Sequence, residues 1–412
     1  MNIEIIAVGT ELLSPRFTDT NSLYLIERLG DIGLPVARRT IVGDWGEGLE
    51  ASLRRAMDFA DWILVGGGLG PTGDDRTREA AASALGRGLV FRPDIQAAIE
   101  ERFRRRERPM AEPNRRQAWI VEGAEVLPNG AGTAPGQWIE SGGKILVLLP
   151  GPPHELKTVF ESSVLPRLAA RGRRHASRAV IRTTGLTESE VEALIAELYP
   201  ESGDCGLTVL ASPGRVDLHV SASGEKAGEA EVRLNNLAGK LRDRLGSAVY
   251  GGQDDELESV VVRLLREAGA TLATAESCTG GLVAHRLTNV PGSSRVFLGG
   301  YVAYGNAAKA RDLGVDPSII EAEGAVSEAA AAAMAFGAKR RMGADWALAL
   351  TGIAGPDGGS ESKPVGLVHI ALAGPDGMTA ERRVFPGLRE TVKFLSSQRA
   401  LDMLRRRLSG IA

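Results

Sequence analysis

The sequence predicts an α/β protein, with an N-terminal parallel-sheet domain and a C-terminal α/β domain separated by a small α+β module. Three observations carry that expectation. Apolar, strand-like runs alternate with helical stretches toward both ends of the chain, the pattern of a parallel sheet covered on both faces. Glycine and polar residues cluster directly after those runs, where open parallel sheets place their sites. The composition agrees: 412 residues exceed one ordinary core, 51 are glycine, 43% are hydrophobic and 25% are charged.

Taken in order, residues 3–8 read as a strand, 21–33 as a helix, 36–42 as a strand, 48–60 as a helix, 62–65 as a strand and 77–85 as a helix. A strand at 145–149 leads into another helix, and the first domain is expected to end near Leu168. Residues 169–175, AARGRRH, have no apolar period and suit a linker. The middle module follows as strand 180–184, helix 188–198, a hairpin of 207–211 with 216–221 about Pro213-Gly214, and helix 227–245. Alternation then resumes: helix 256–268, strand 271–275, a helix from Gly280, strand 295–301, helix 327–341, strands 346–351 and 366–373, and a final helix.

The N-terminal run lacks a basic n-region, so it reads as a buried strand and not a signal peptide. A net charge of -3 gives no global reason to expect nucleic-acid or membrane binding, and the basic stretch 102–108 reads as a solvated helix face. Two cysteines, Cys205 and Cys278, provide neither a disulfide framework nor a CxxC ligand set, and a reducing cytoplasm is the expected compartment.

Four segments of the first domain place polar residues after strands: Thr10 and Glu11, Asp44, Gly66 to Asp75, and Pro150 to Glu155. Gly68, Gly70 and Gly73 match the spacing of a dinucleotide fingerprint. Asp74 and Asp75 speak against that reading, because a bare pyrophosphate would meet two like charges. A divalent ion between carboxylates and phosphate removes the conflict; helix capping and a tight turn are the competing explanation.

In the last domain, residues 271–275 run into Glu276-Ser277-Cys278-Thr279-Gly280-Gly281. Ser277 is therefore expected in a tight strand-to-helix turn, where nearby helix N-terminal N–H groups can face a developing oxyanion, with Thr279 and Gly280 as candidate substrate-binding residues. Serine needs a base, and neither His285 nor His369 has a recognisable carboxylate partner. Lysine is the alternative when burial or a neighbouring cation keeps its amine neutral, and Tyr304-Gly305-Asn306-Ala307-Ala308-Lys309 supplies both Lys309 and a phenol. Taken alone, a lysine near a strand end is usually solvated, and Cys278 is intrinsically the better nucleophile. The stretch TGIAGPDGGS, with Thr351, Gly352 and Gly355, offers backbone N–H groups to a nucleotide.

The segments GTELL, Asp19-Thr20-Asn21, GGGLGPTGDDRT and PGPPHE resemble the molybdopterin-binding-like domain of the CinA (competence/damage-inducible protein) family over residues 1–168. The resemblance implies metal-dependent hydrolysis of ADP-ribose to AMP and ribose 5-phosphate. It places Thr10, Glu11, Asn21, Asp44, Gly68, Gly70, Asp74, Asp75 and Glu155 at the site, with Asp44 and Asp75 at positions that lie by the pterin in related molybdenum-cofactor proteins. Asp44, Asp75 and Glu155 are the candidate ligands of magnesium, manganese or cobalt, with potassium as a candidate second ion. Pro15 stands where the family usually has glycine; proline fixes φ and removes a donor.

The module 175–252 resembles the family's KH-like domain. It lacks the GXXG loop of RNA-binding KH domains and carries acidic runs at 188–192 and 225–231, so a spacer or dimer contact is expected, without nucleic acid. TAESCTGG, PGSS, YxNxAK, GAVSE, TGIAGPDGGS and KPVG resemble the family's C-terminal nicotinamide-nucleotide amidase domain over 255–412. That resemblance implies a cofactor-free serine/lysine amidohydrolase that converts nicotinamide mononucleotide to nicotinic acid mononucleotide and ammonia. Ser277 matches its nucleophile, Lys309 its general base, Tyr304 an assisting hydroxyl and Arg389 an arginine of the substrate site. The combined expectation is a cytoplasmic, homodimeric enzyme of pyridine-nucleotide recycling that acts on small nucleotides and uses no membrane. Two other readings stand beside it: a non-catalytic pterin- or nucleotide-binding N-terminal domain, or a competence-associated interaction scaffold. The intact Ser277, Tyr304 and Lys309 set argues against a pure scaffold.

Overall fold

The computed structural model describes residues 2–171, 175–201, 203–226 and 228–411. Contacts divide it into two compact units, residues 1–177 with 223–231, and residues 178–222 with 232–412.

The first unit begins with the expected alternation: β1 (Ile3–Val8), α1 (Thr20–Asp31), β2 (Arg38–Val42), α2 (Gly46–Phe59), β3 (Trp62–Gly66) and α3 (Thr77–Leu85). It continues with β4 (Leu89–Phe91), α4 (Pro93–Arg105), β5 (Trp119–Val121), β6 (Glu125–Leu127), β7 (Gly136–Ser141), β8 (Lys144–Leu149), α5 (Pro153–Val159) and α6 (Leu165–Arg171). The sheet order is β2-β1-β3-β8-β7-β6. The first four strands are parallel, but β7 pairs antiparallel with both β8 and β6, so the expected parallel sheet is mixed. The cause is local. Ser141 pairs with Lys144 across Gly142 and Gly143, at φ 58 and 80, and a two-residue turn of this kind joins only antiparallel strands.

Alternate residues of the parallel strands enter two cores. Ile3, Ile5, Leu64 and Val147 pack with α1 and α5, while Ile6, Val8, Val65 and Leu148 pack with α2 and α3. Every parallel strand therefore ends at the same edge of a sheet covered on both faces, and the polar loops gather there. The expected linker is partly helix, since residues 169–171 complete α6; residues 172–174 of that expectation lie outside the described residues.

The middle module contains β9 (His175–Thr183), α7 (Glu188–Ile195), β10 (Cys205–Ser212), β11 (Arg215–Gly224), α8 (Glu229–Leu245) and β12 (Val249–Gly251), in the sheet order β10-β11-β9-β12. Ser212 pairs with Arg215, leaving Pro213-Gly214 as the hairpin turn that the sequence indicates. The expected start of the second helix at Ala227 lies outside the described residues.

The remaining elements are α9 (Leu257–Glu267), β13 (Leu272–Glu276), α10 (Leu282–Thr288), β14 (Phe297–Val302), α11 (Asn306–Leu313), α12 (Pro317–Glu323), α13 (Glu328–Met342), β15 (Trp346–Gly352), β16 (Leu367–Gly374), β17 (Gly377–Val384) and α14 (Arg389–Leu408). Their sheet runs β14-β13-β15-β16-β17, with the first three strands parallel and β16 antiparallel to both of its neighbours, β15 and β17. Sequence patterning missed β17, an edge strand of mostly exposed residues with no apolar alternation.

One face of this sheet is aliphatic: Leu272, Leu348, Leu350 and Ile370 pack with α9, α10 and α14. The other is built of alanines, including Ala273, Ala275, Ala347, Ala349 and Ala371, which pack with α13 and α11. Small side chains let α13 approach closely. Gly337 extends the same device to α11, since a Cβ there would stand 2.0 Å from the Leu313 carbonyl oxygen. Arg405 of α14 donates to the Ser247 carbonyl at 2.7 Å, and Gln398 to Thr184 Oγ1 at 3.3 Å, tying the middle module to this domain. Among the described residues no helix is long and apolar enough to cross a membrane.

Candidate functional site

Ser277 follows β13 directly. Its N–H donates to the Leu350 carbonyl of β15 at 2.9 Å, and its carbonyl accepts from Gly280 N at 3.1 Å, which closes the turn. Glu276, fully buried, turns its carboxylate onto the start of α10 and accepts from the N–H groups of Gly281, Val283 and Ala284 at 3.1, 3.0 and 2.9 Å. This corrects the expected oxyanion donors: the first N–H groups of α10 are occupied by Glu276.

Lys309, on the first turns of α11, is 1% exposed. Its Nζ lies 3.1 Å from Ser277 Oγ, 3.0 Å from the Ala303 carbonyl and 3.1 Å from the Tyr304 carbonyl. Carbonyl oxygens only accept, whereas a hydroxyl can also donate. A neutral amine satisfies this set with two N–H groups on the carbonyls and its lone pair on Ser277 O–H. Burial holds the Lys309 pKa below the usual lysine value.

The surrounding cleft, about 260 Å³, is lined by Ser277, Cys278, Tyr304, Lys309, Arg389 and the stretch Thr351 to Gly355. Gly352 and Gly355 thus line the cleft, while Thr279 and Gly280 do not. The Tyr304 hydroxyl is turned away from Lys309: it accepts from Arg389 Nη2 at 3.0 Å, and only its main-chain carbonyl touches the lysine. Arg389 also donates to the Gly355 carbonyl at 2.8 Å. Burial pushes the Cys278 thiol up to about 12, far from thiolate formation. His285 is paired with Asn289 on α10, and His369 is buried on β16 opposite Thr351; neither lines the cleft. Sequence reasoning did not assign Asn306, Ala325, Val326, Asp357 or Gly358, which do. All five fall inside quoted motifs, so proximity to GAVSE and TGIAGPDGGS was the available signal.

In the first unit a cleft of about 520 Å³ opens at the carboxyl ends of the parallel strands, lined among others by Glu11, Asn21, Asp44, Gly68, Asp74 and Asp75. Thr10 lies outside the lining and holds Asp44, donating its N–H to Asp44 Oδ2 at 2.7 Å and accepting from Asp44 N at 3.2 Å. Gly70 leaves room for Asp75, whose Oδ2 accepts from Thr72 N at 2.8 Å and Thr72 Oγ1 at 2.5 Å. Glu155 does not join the others. Its carboxylate accepts from Asn129 at 2.6 Å and lies against Gly132, so the trio Asp44, Asp75 and Glu155 is not assembled. Among the described residues no group of three or more His, Cys, Asp or Glu is placed to hold a metal ion. The lining contains five carboxylates, counting Asp19, and no lysine or arginine. Asn21 donates to the Gly151 carbonyl at 2.7 Å, while its buried Oδ1 has no hydrogen-bond partner. Pro15 sits in the turn after residues 10–13 and does not line the cleft.

Comparison with known proteins agrees with this layout. Residues 4–170 match the family described as "Probable molybdopterin binding domain", 178–251 the "Damage-inducible protein CinA KH domain" and 254–408 the "CinA C-terminal domain". A CinA-like protein of Solibacter usitatus is 44% identical over 411 residues, spanning 100% of this chain and 99% of its own. A putative competence-damage inducible protein of Symbiobacterium thermophilum is 45% identical over 423 residues, spanning 100% of this chain and 99% of its own. A solved competence/damage inducible protein from Agrobacterium tumefaciens is 40% identical and covers 38% of this chain and 97% of its own, with a TM-score of 0.36. With close relatives along its whole length, the chain belongs to the CinA family, with a molybdopterin-binding-type domain, a KH-type module and a CinA C-terminal domain in that order.

Proposed function

We propose that the chain is a nicotinamide-nucleotide amidase, with Ser277 as nucleophile and Lys309 as base. The observation that carries this reading is the buried Lys309 Nζ, 3.1 Å from Ser277 Oγ with two carbonyl oxygens as its other partners. Neutral Lys309 takes the Ser277 proton as Oγ attacks the carboxamide carbon. The resulting ammonium has three N–H groups for the same three oxygens, so the site accommodates both protonation states without rearranging. Lys309 then returns the proton to the departing amine, ammonia leaves, and water hydrolyses the acyl-enzyme with Lys309 again as base. Arg389 and the glycine-rich 351–355 stretch offer a cation and close backbone approach to the nucleotide. The test is to incubate the full-length chain with nicotinamide mononucleotide and quantify ammonia and the nicotinic acid product. Stoichiometric appearance of both is expected, and intact substrate after prolonged incubation with folded protein would refute the reading.

We further propose that the first unit hydrolyses ADP-ribose to AMP and ribose 5-phosphate with a divalent ion. A cleft lined by five carboxylates and no cation repels a bare pyrophosphate, so the ligand must arrive with positive charge. Two carboxylates suffice for a magnesium-type ion, which keeps waters and takes its remaining ligands from substrate phosphates. Asp44 and Asp75 are the residues that would hold it, and the bound ion would neutralise charge on the scissile phosphate. Asn21 Oδ1, buried without a partner in the same cleft, offers an acceptor to a ribose hydroxyl or a base N–H.

A further inference from the structure

Glu323 ends α12 and residues 324–326 lead from it toward α13 without joining a strand, yet all four carbonyl oxygens of 323–326 are bound by side chains. Lys363 Nζ donates to the carbonyls of Glu323 and Val326 at 2.6 and 2.8 Å. Ser327 Oγ donates to Gly324 O at 2.8 Å, and Thr351 Oγ1 donates to Ala325 O at 2.7 Å. The segment borders the catalytic cleft, since Ala325 and Val326 line it together with Ser277 and Lys309.

A connecting segment without ladder hydrogen bonds is ordinarily among the least stable parts of a fold. Here three side chains from three places hold it, and Lys363 supplies half of the bonds. Lys363 is itself held from behind: its N–H donates to Ser360 Oγ at 3.1 Å and its carbonyl accepts from Ser360 N at 2.9 Å. Gly324 fits the arrangement twice over. Its φ is +83, and a Cβ there would stand 2.9 Å from Lys363 Nζ, so the sharp turn and the approach of the ammonium both call for glycine.

We infer that Lys363 is a positioning residue of the amidase: it fixes the Ala325–Val326 wall against which the aromatic ring of the substrate packs. This rests on the amidase reading of the Ser277 cleft. Lys363 touches no reacting atom in this account and acts through the wall alone. A wall that contacts the ring equally in the ground and transition states contributes uniform binding, so its loosening raises KM and spares kcat.

The experiment compares wild type, Lys363→Met and Lys363→Arg as full-length proteins. Steady-state ammonia release from nicotinamide mononucleotide is measured together with amide hydrogen exchange of residues 323–327. Lys363→Met keeps the aliphatic stem and removes the donors; KM is expected to rise by about tenfold or more with kcat within about threefold. Exchange at 323–327 should accelerate in the same variant. Lys363→Arg, which retains donors, should recover part of both effects. Should Lys363→Met fail to fold, Ser327→Ala removes the donor to Gly324 O from a residue outside the cleft lining, and the same KM rise with faster exchange at 323–327 is expected. An active wild type whose folded variants keep their KM, or lose kcat at constant KM, overturns the inference. A wild type silent toward the substrate sinks the amidase reading instead, and unchanged exchange at 323–327 then removes the wall-holding role as well.

Discussion

Lys309 Nζ and Ser277 Oγ stand 3.1 Å apart in a setting where the lysine is 1% exposed and faces two carbonyl oxygens besides the hydroxyl. That relationship suits the lysine to the base of the proposed amidase, because burial disfavours its ammonium and a neutral amine can turn its lone pair to the serine.

The pH dependence follows from the sign of that shift. The active form is the neutral amine, so kcat/KM for amide hydrolysis rises with pH through the Lys309 pKa and then levels. Burial lowers that pKa from the ordinary lysine value, so the rising limb should be centred below about 10.4, where a solvated lysine titrates. A pH–rate profile of the full-length enzyme checks this; a limb centred at the ordinary lysine value would show that the base is solvated.

Cys278 adjoins Ser277, but burial pushes its thiol up to about 12, leaving almost no thiolate at neutral pH. Cys278→Ala should retain most of the turnover, and a thiol-alkylating reagent should leave wild type active over hours. Stoichiometric inactivation, protected by substrate and lost in Cys278→Ala, would make the cysteine part of the reaction.

Gly337 seats α11, and with it Lys309, by close approach to the Leu313 carbonyl. In Gly337→Ala the added methyl cannot be accommodated without moving one helix, and overpacking of this kind costs about 1–3 kcal/mol. Denaturant unfolding should report that loss, with a larger relative loss of amide turnover in the protein that remains folded. Unchanged stability would mean that the two helices yield easily.

Metal dependence should separate the two ends of the chain. A chelator should abolish ADP-ribose hydrolysis and spare ammonia release. Asp75→Asn, which keeps size and removes charge, should weaken only the first activity. Loss of both activities with chelator would place a metal requirement in the C-terminal site, and unaffected ADP-ribose hydrolysis in Asp75→Asn would remove that residue from the site.

The strand–helix alternation at both ends was legible because buried parallel strands are continuous apolar runs, and Ser277 and Lys309 were legible because their motifs follow such runs directly. β7 was missed because its reversal depends on the two-residue turn Gly142-Gly143, and β17 because an exposed edge strand carries no apolar period. The Glu276 carboxylate was read as part of a motif, whereas its work is to occupy the start of α10, and no local pattern announces where a buried carboxylate folds back. In the sequence Glu155 groups with Asp44 and Asp75 because each follows a strand. The site instead depends on where loops bend, and Asn129 draws Glu155 elsewhere.

The most direct test of the central claim is ammonia release from nicotinamide mononucleotide by folded Ser277→Ala, Lys309→Ala and the double variant beside wild type. Because nucleophile and base act as one unit, each single variant should lose several powers of ten in kcat, roughly the loss in the double variant. A Ser277→Ala enzyme that keeps substantial turnover, or a Lys309→Ala enzyme close to wild type, would contradict the serine–lysine mechanism.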